Sequence, residues 1–151
     1  MRFAMRSSSS DSSGSDTAPG GAARARPDLR VLLVEDSPVI CGLITGIIND
    51  VPGVKVAESV ASERDAIDAV GRLDVDVVIL DLQLRKGTGF GVLRAVRDMQ
   101  KKPVVVVFTN FALRSYRETA LALGARDFLD KSRDYDRLPA ILTEIASSQP
   151  A

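Results

Sequence analysis

Histidine and tryptophan are absent from this 151-residue chain, and there is a single cysteine, Cys41. Without an imidazole, no Ser-His-Asp triad, histidine-bearing zinc site or phosphohistidine carrier can be built from it. A lone cysteine excludes an internal disulfide, and its place among apolar helical positions predicts a buried structural thiol. Twenty basic residues balance twenty acidic ones. The basic residues are not massed on one segment, so no nucleic-acid partner is expected. No apolar run approaches the roughly 18 residues of a membrane span, and the N-terminus lacks the apolar core of a signal peptide. No membrane partner is expected, and the expected location is cytoplasmic. The polar chemistry left to the chain is carboxylate, lysine and hydroxyl, which suits a hard metal ion and phosphate.

What is present reads as one ordinary globular domain, with 45% apolar and 26% charged residues. Residues 1–28 are Ser, Gly, Ala and Arg with the low-complexity run Ser7 to Ser10, a composition that cannot bury enough surface to fold and predicts a disordered tail. Order is expected over residues 29–146, with 147–151 a short C-terminal tail. Arg30 to Val34 predicts a strand that ends on Glu35 and Asp36. Ser37-Pro38 then opens a helix whose face is Ile40, Leu43, Ile44, Ile47 and Ile48. Val54 to Val60 is a second strand, followed by a helix from Ser62 to about Arg72 that opens with a capping-box pattern. Val77-Val78-Ile79-Leu80 has no polar alternation, as expected of a strand buried on both faces, and it ends on Asp81. A glycine-rich loop leads into a helix over about Phe90 to Met99. A fourth strand, Pro103 to Phe108, ends on Thr109-Asn110, and a helix over about Ala112 to Leu123 stops at Gly124. A fifth strand, Arg126 to Leu129, ends near Lys131, and Asp134 is placed to cap the last helix. Five alternations with short links predict a parallel sheet covered by helices on both faces.

If the strands are parallel, Glu35, Asp36, Asp81, Thr109 and Lys131 lie along one rim of the sheet, where ligands of such sheets collect. Three carboxylates brought together repel one another unless a cation sits among them, and magnesium takes such oxygen ligands together with phosphate. Lys131 and Thr109 add a point charge and a hydroxyl suited to phosphoryl oxygens. The constellation predicts phosphoryl transfer to a carboxylate.

These residues, in order and each at a predicted strand end, resemble the receiver domain of two-component response regulators over about residues 29 to 146. The likeness is carried by Glu35-Asp36, by Asp81 with Gly89 eight residues on, by Phe108-Thr109-Asn110, and by Phe128 three residues before Lys131. It implies a flavodoxin-like, doubly wound sheet of order 2-1-3-4-5. It further implies that Asp81 accepts a phosphoryl group from a sensor histidine kinase or histidine phosphotransfer protein. Mg2+ would be held by Asp36, Asp81 and the backbone carbonyl of Gln83, with Glu35 acting mostly through water. Lys131 would pair with the phosphoryl group, Thr109 would shift to hydrogen-bond it, and Phe128 would turn inward as the switch. Gln83 and Phe111 would flank the path of a hydrolytic water.

Such a protein is a phosphorylation switch, not an enzyme. Since nothing after Gln149 has the length of an output domain, a stand-alone regulator is expected, signalling by relay or by altered protein contacts. Arg114, Tyr116, Arg117 and Tyr135 would form the face for phosphorylation-dependent partner binding or dimerisation. The chain departs from the family at Arg85 and Ser132, where proline is common, and at Asn110, where a small residue is usual. An alternative is a degenerate receiver used only as a binding module. A second is a haloacid-dehalogenase-type phosphatase, which requires an Asp where this chain has Gln83.

Overall fold

In the computed structural model, which describes residues 28–149, five strands and five helices alternate: β1 (Leu29–Val34), α1 (Pro38–Asn49), β2 (Val54–Val60), α2 (Glu63–Arg72), β3 (Val77–Leu80), α3 (Gly89–Arg97), β4 (Val104–Thr109), α4 (Arg114–Ala122), β5 (Asp127–Asp130) and α5 (Arg137–Ser148). All strand pairs are parallel, in the order β2-β1-β3-β4-β5. This is the predicted flavodoxin-like arrangement. The disordered tail expected over residues 1–28 lies, apart from Asp28, outside the described residues, as do the last two residues of the 147–151 segment. Within the described part, α5 continues through Ser148.

The central strands are apolar at nearly every position because both of their faces are covered. Leu32, Val34, Val78, Leu80, Val105 and Val107 point to one side and pack with buried residues of α2, α3 and α4. Leu33, Ile79, Val106 and Phe108 point to the other, against Ile44 and Ile48 of α1 and four residues of α5. β2, at the sheet's edge, instead alternates between more and less exposed positions. The first two helix starts follow the sequence signals, Ser37 and Ser62 each accepting a backbone N–H three residues on, and Thr88, which the sequence did not single out, does the same for α3.

Three details differ from the sequence reading. Asp134 does not cap α5 with its side chain; its carboxylate reaches back to the Asp130 N–H at 2.9 Å, and only its carbonyl accepts from Arg137. Leu43 is exposed, as is Val39, so the apolar stripe of α1 is wider than its buried face. Cys41 is partly exposed and packs at the margin of the α1–α5 core.

Candidate functional site

The register places the site. Val34 pairs with Leu80, and Leu80 with Val107, so Glu35 and Asp81 leave the sheet together, level with Phe108 of the longer β4. The Asp81 N–H still donates to the Val34 carbonyl at 3.1 Å, and the Glu35 N–H to Val60 at 2.9 Å. Thr109 pairs with Asp130, and the Lys131 N–H donates to the Thr109 carbonyl at 2.9 Å, bringing the lysine to the same rim. A pocket of about 360 Å3 opens there, lined by Glu35, Asp36, Asp81, Gln83, Phe111 and Lys131 among others.

Lys131 is the electrostatic centre. Its ammonium lies 2.8 Å from Asp81 Oδ2 and also bonds Glu35 Oε1, with all three side chains buried. Burial works against the charge on Lys131, but the two carboxylates outweigh it and hold the ammonium above its ordinary pKa. Glu35 spends its other oxygen on the Ser37 N–H at 3.0 Å. Oxygen atoms of Glu35, Asp36 and Asp81 all lie within 4.8 Å of one another. Three hard oxygen donors at one rim suit a divalent cation such as magnesium, and the residues fit that group.

The loop after Asp81 is folded over the site. Gln83 and Thr88 pair as an isolated antiparallel bridge. Asp81 Oδ1 accepts the Gln83 N–H at 3.1 Å and Asp36 Oδ2 the Arg85 N–H at 2.7 Å. Gly89 is required where it stands: a Cβ there would lie 2.4 Å from the Asp81 carbonyl oxygen. The peptide bonds among the described residues are all trans, that between Lys131 and Ser132 included. The turn there is held by Asp130, whose carboxylate takes the Ser132 hydroxyl at 2.6 Å and N–H at 2.8 Å, bonds that lower its pKa.

Thr109 is fully buried, its hydroxyl accepting the Phe111 N–H at 3.2 Å. Phe128 is turned inward, 5% exposed, in the core beneath α4. Arg117 donates to the Phe128 carbonyl at 3.2 Å and lies 5.9 Å from its ring centre. The predicted surface group divides here. Tyr116 packs edge-on against Phe90 and near Phe111, whereas Tyr135 packs against Phe108 in the core on the opposite side of the sheet. Burial raises the Tyr135 pKa, with Lys131 opposing and the two carboxylates adding to the rise. Sequence reasoning missed Glu63, whose carboxylate accepts the Thr88 N–H at 2.8 Å across 25 residues.

With this geometry in view, the chain belongs to the response regulator receiver domain family, whose model matches residues 31–143. A protein-glutamate methylesterase/protein-glutamine glutaminase of Treponema denticola is 35% identical over 106 residues, covering 69% of this chain. The chain spans only 28% of that relative's length. The response regulator domain of Thermotoga maritima CheB superposes with a TM-score of 0.71 at 22% identity, covering 82% of this chain and 99% of that one. The receiver domain of a Pseudomonas aeruginosa sensor histidine kinase, with a magnesium ion in its active-site cleft, gives 0.70 at 28% identity, covering 80% and 99%. No helix among the described residues is long and apolar enough to cross a membrane.

Proposed function

We propose that Asp81 accepts a phosphoryl group from a phosphohistidine of a sensor histidine kinase or histidine phosphotransfer protein, and that the modified chain signals through altered protein contacts or onward transfer. The observation that carries this reading is the contact of Lys131 with Asp81 at 2.8 Å beside two further carboxylates. An Asp81 oxygen attacks phosphorus; the P–O bond forms as the P–N bond breaks, and the departing imidazole leaves with its electron pair. Lys131 then follows charge from the carboxylate to the phosphoryl oxygens, and Thr109 gives up its bond to Phe111 to donate to one of them. Asp36, Asp81 and the Gln83 carbonyl would hold Mg2+, with Glu35 acting through water; when bound, the ion supplies neutralisation of the phosphoryl oxygens. Phe128, already inward, would be held there by that arrangement.

The test is acetyl phosphate with Mg2+, followed by intact mass and peptide mapping. One phosphoryl group on Asp81 is expected, with none on Asp81→Asn. Incorporation by that variant at the wild-type rate would overturn the assignment. Labelling of wild type also separates this reading from the degenerate receiver, which would incorporate nothing.

A further inference from the structure

Glu63 opens α2, 18 residues before Asp81, yet it grips the loop that follows Asp81. Its own N–H donates to the Lys86 carbonyl at 3.1 Å, and its carboxylate accepts the Thr88 N–H at 2.8 Å. Between these contacts the chain passes at Gly87 with φ of +87°, a conformation that glycine adopts freely. Room for the Glu63 side chain is made by two glycines. A Cβ at Gly87 would lie 2.4 Å from Glu63 Cβ, and one at Gly91 would lie 2.0 Å from Glu63 Oε2, overlapping the carboxylate. The carboxylate therefore fills a slot that side chains at those positions would close.

The loop is held from outside at three N–H groups, by Asp81 at Gln83, by Asp36 at Arg85 and by Glu63 at Thr88. The first two belong to the cluster of oxygens suited to a cation, and a bound ion competes for them. Glu63 lies outside that cluster. Its partner Thr88 pairs directly with Gln83 across the loop, and the Thr88 hydroxyl in turn accepts the Gly91 N–H at 3.3 Å to start α3.

We propose that Glu63 is a positioning residue for the divalent cation: its bond to Thr88 sets the Gln83 carbonyl at the site while Asp36 and Asp81 turn to the ion. This rests on the reading of Asp36, Asp81 and Gln83 as ligands. Outer-shell partners of this kind are typically worth about 10–100-fold in metal affinity.

The experiment is calorimetric titration of the full chain with Mg2+ alone, at a temperature where every variant is folded by its metal-free melting curve. Glu63→Ala is expected to weaken binding about tenfold. Glu63→Gln keeps an oxygen that can accept the Thr88 N–H and is expected to restore most of the affinity. Gly91→Ala expels the carboxylate from its slot and should match Glu63→Ala, and the double variant should be no weaker than either single one. Wild-type affinity in Glu63→Ala, no recovery in Glu63→Gln, or losses that multiply in the double variant would each overturn the role of Glu63. Failure of the underlying reading looks different: wild type itself would bind no Mg2+, or Asp36→Asn would bind it as wild type does.

Discussion

The two rims of the pocket are built to different standards. On one, the loop after β3 is tied down at Gln83, Arg85 and Thr88 and runs into α3, a nine-residue helix with a threonine cap and four buried residues. On the other, the loop after β4 has the Thr109–Phe111 bond, then exposed Phe111 and Leu113, and runs into α4, also nine residues long, with no side-chain cap and one buried residue. Segments with few buried contacts open most readily, and moving elements are drawn from them. The rim that would hold the ion is fixed, and the rim that would respond to phosphorylation is loose. Lys131 joins them: its backbone is bonded to Thr109 while its ammonium is pinned to Glu35 and Asp81.

Removing that pin should have the largest effect. Breaking a buried ion pair by deleting one partner costs about 3–5 kcal/mol, because uncompensated charge is left behind. Lys131→Ala, measured by urea unfolding without divalent cations, should lose stability on that scale, and Mg2+ should restore part of it by taking the ammonium's place among the carboxylates. The pH dependence has a definite sign. Because the folded-state pKa of Lys131 is raised, its contribution is complete below the unfolded value of 10.5 and is lost as pH rises through the folded value. Wild type should therefore lose stability above about pH 10.5 more steeply than Lys131→Ala. Equal slopes would mean that Lys131 does not couple the rims.

Next in size are matched truncations of the two helices. Leu93 in α3 is 1% exposed and Leu121 in α4 is 38% exposed. Leu93→Ala should cost about 2–5 kcal/mol and Leu121→Ala about 0.5 kcal/mol or less, read from denaturation midpoints at constant slope. Similar losses at both positions would erase the distinction. Hydrogen exchange sharpens it: α4 amides should exchange by local opening, and those of α3 only on global unfolding.

The missing cap on α4 allows a gain. Leu113 is at the N-cap with extended backbone, φ −74° and ψ 143°, and more than half exposed. Leu113→Ser can offer its hydroxyl to a free helix N–H and should stabilise the protein by about 1 kcal/mol while slowing α4 exchange. A stabilised protein with unchanged exchange in α4 would place the gain elsewhere.

Much of this was legible in the sequence because it rests on local pattern. Unbroken apolar runs, acids and a lysine at strand ends, and hydroxyls before helices are each visible within a few residues, and parallel topology alone carries Glu35, Asp81 and Lys131 to one rim. What was hidden depends on pairs distant in the chain. Glu63 can be read as part of a capping pattern at α2, and nothing near it points to Thr88. Gly87 and Gly91 read as loop glycines until the side chain lying against them is seen. Asp134 occupies a plausible cap position, yet its carboxylate reaches back to Asp130 near the end of β5. Tyr135 is near Lys131 in sequence, but its contact with Phe108 puts it on the side of the sheet away from Tyr116.

The smallest predicted effect concerns how the two rims share the phosphoryl group's lifetime. Hydrolysis needs a water in line with phosphorus and opposite the Asp81 oxygen, so side chains lining the mouth can align or exclude it. Gln83 comes from the fixed rim and Phe111 from the loose one, and both line the pocket. Gln83 can hydrogen-bond a water; Phe111 offers only an apolar ring, 39% exposed and 6.5 Å centre to centre from Tyr116. If the ring shields the group, Phe111→Ala should hasten decay about threefold, equivalent to about 0.6 kcal/mol in the barrier. Gln83→Ala should slow it by a similar factor. Decay of phosphorylated wild type and both variants, followed by intact mass, measures this directly, and a Phe111→Ala decay no faster than wild type would remove shielding from the loose rim's role.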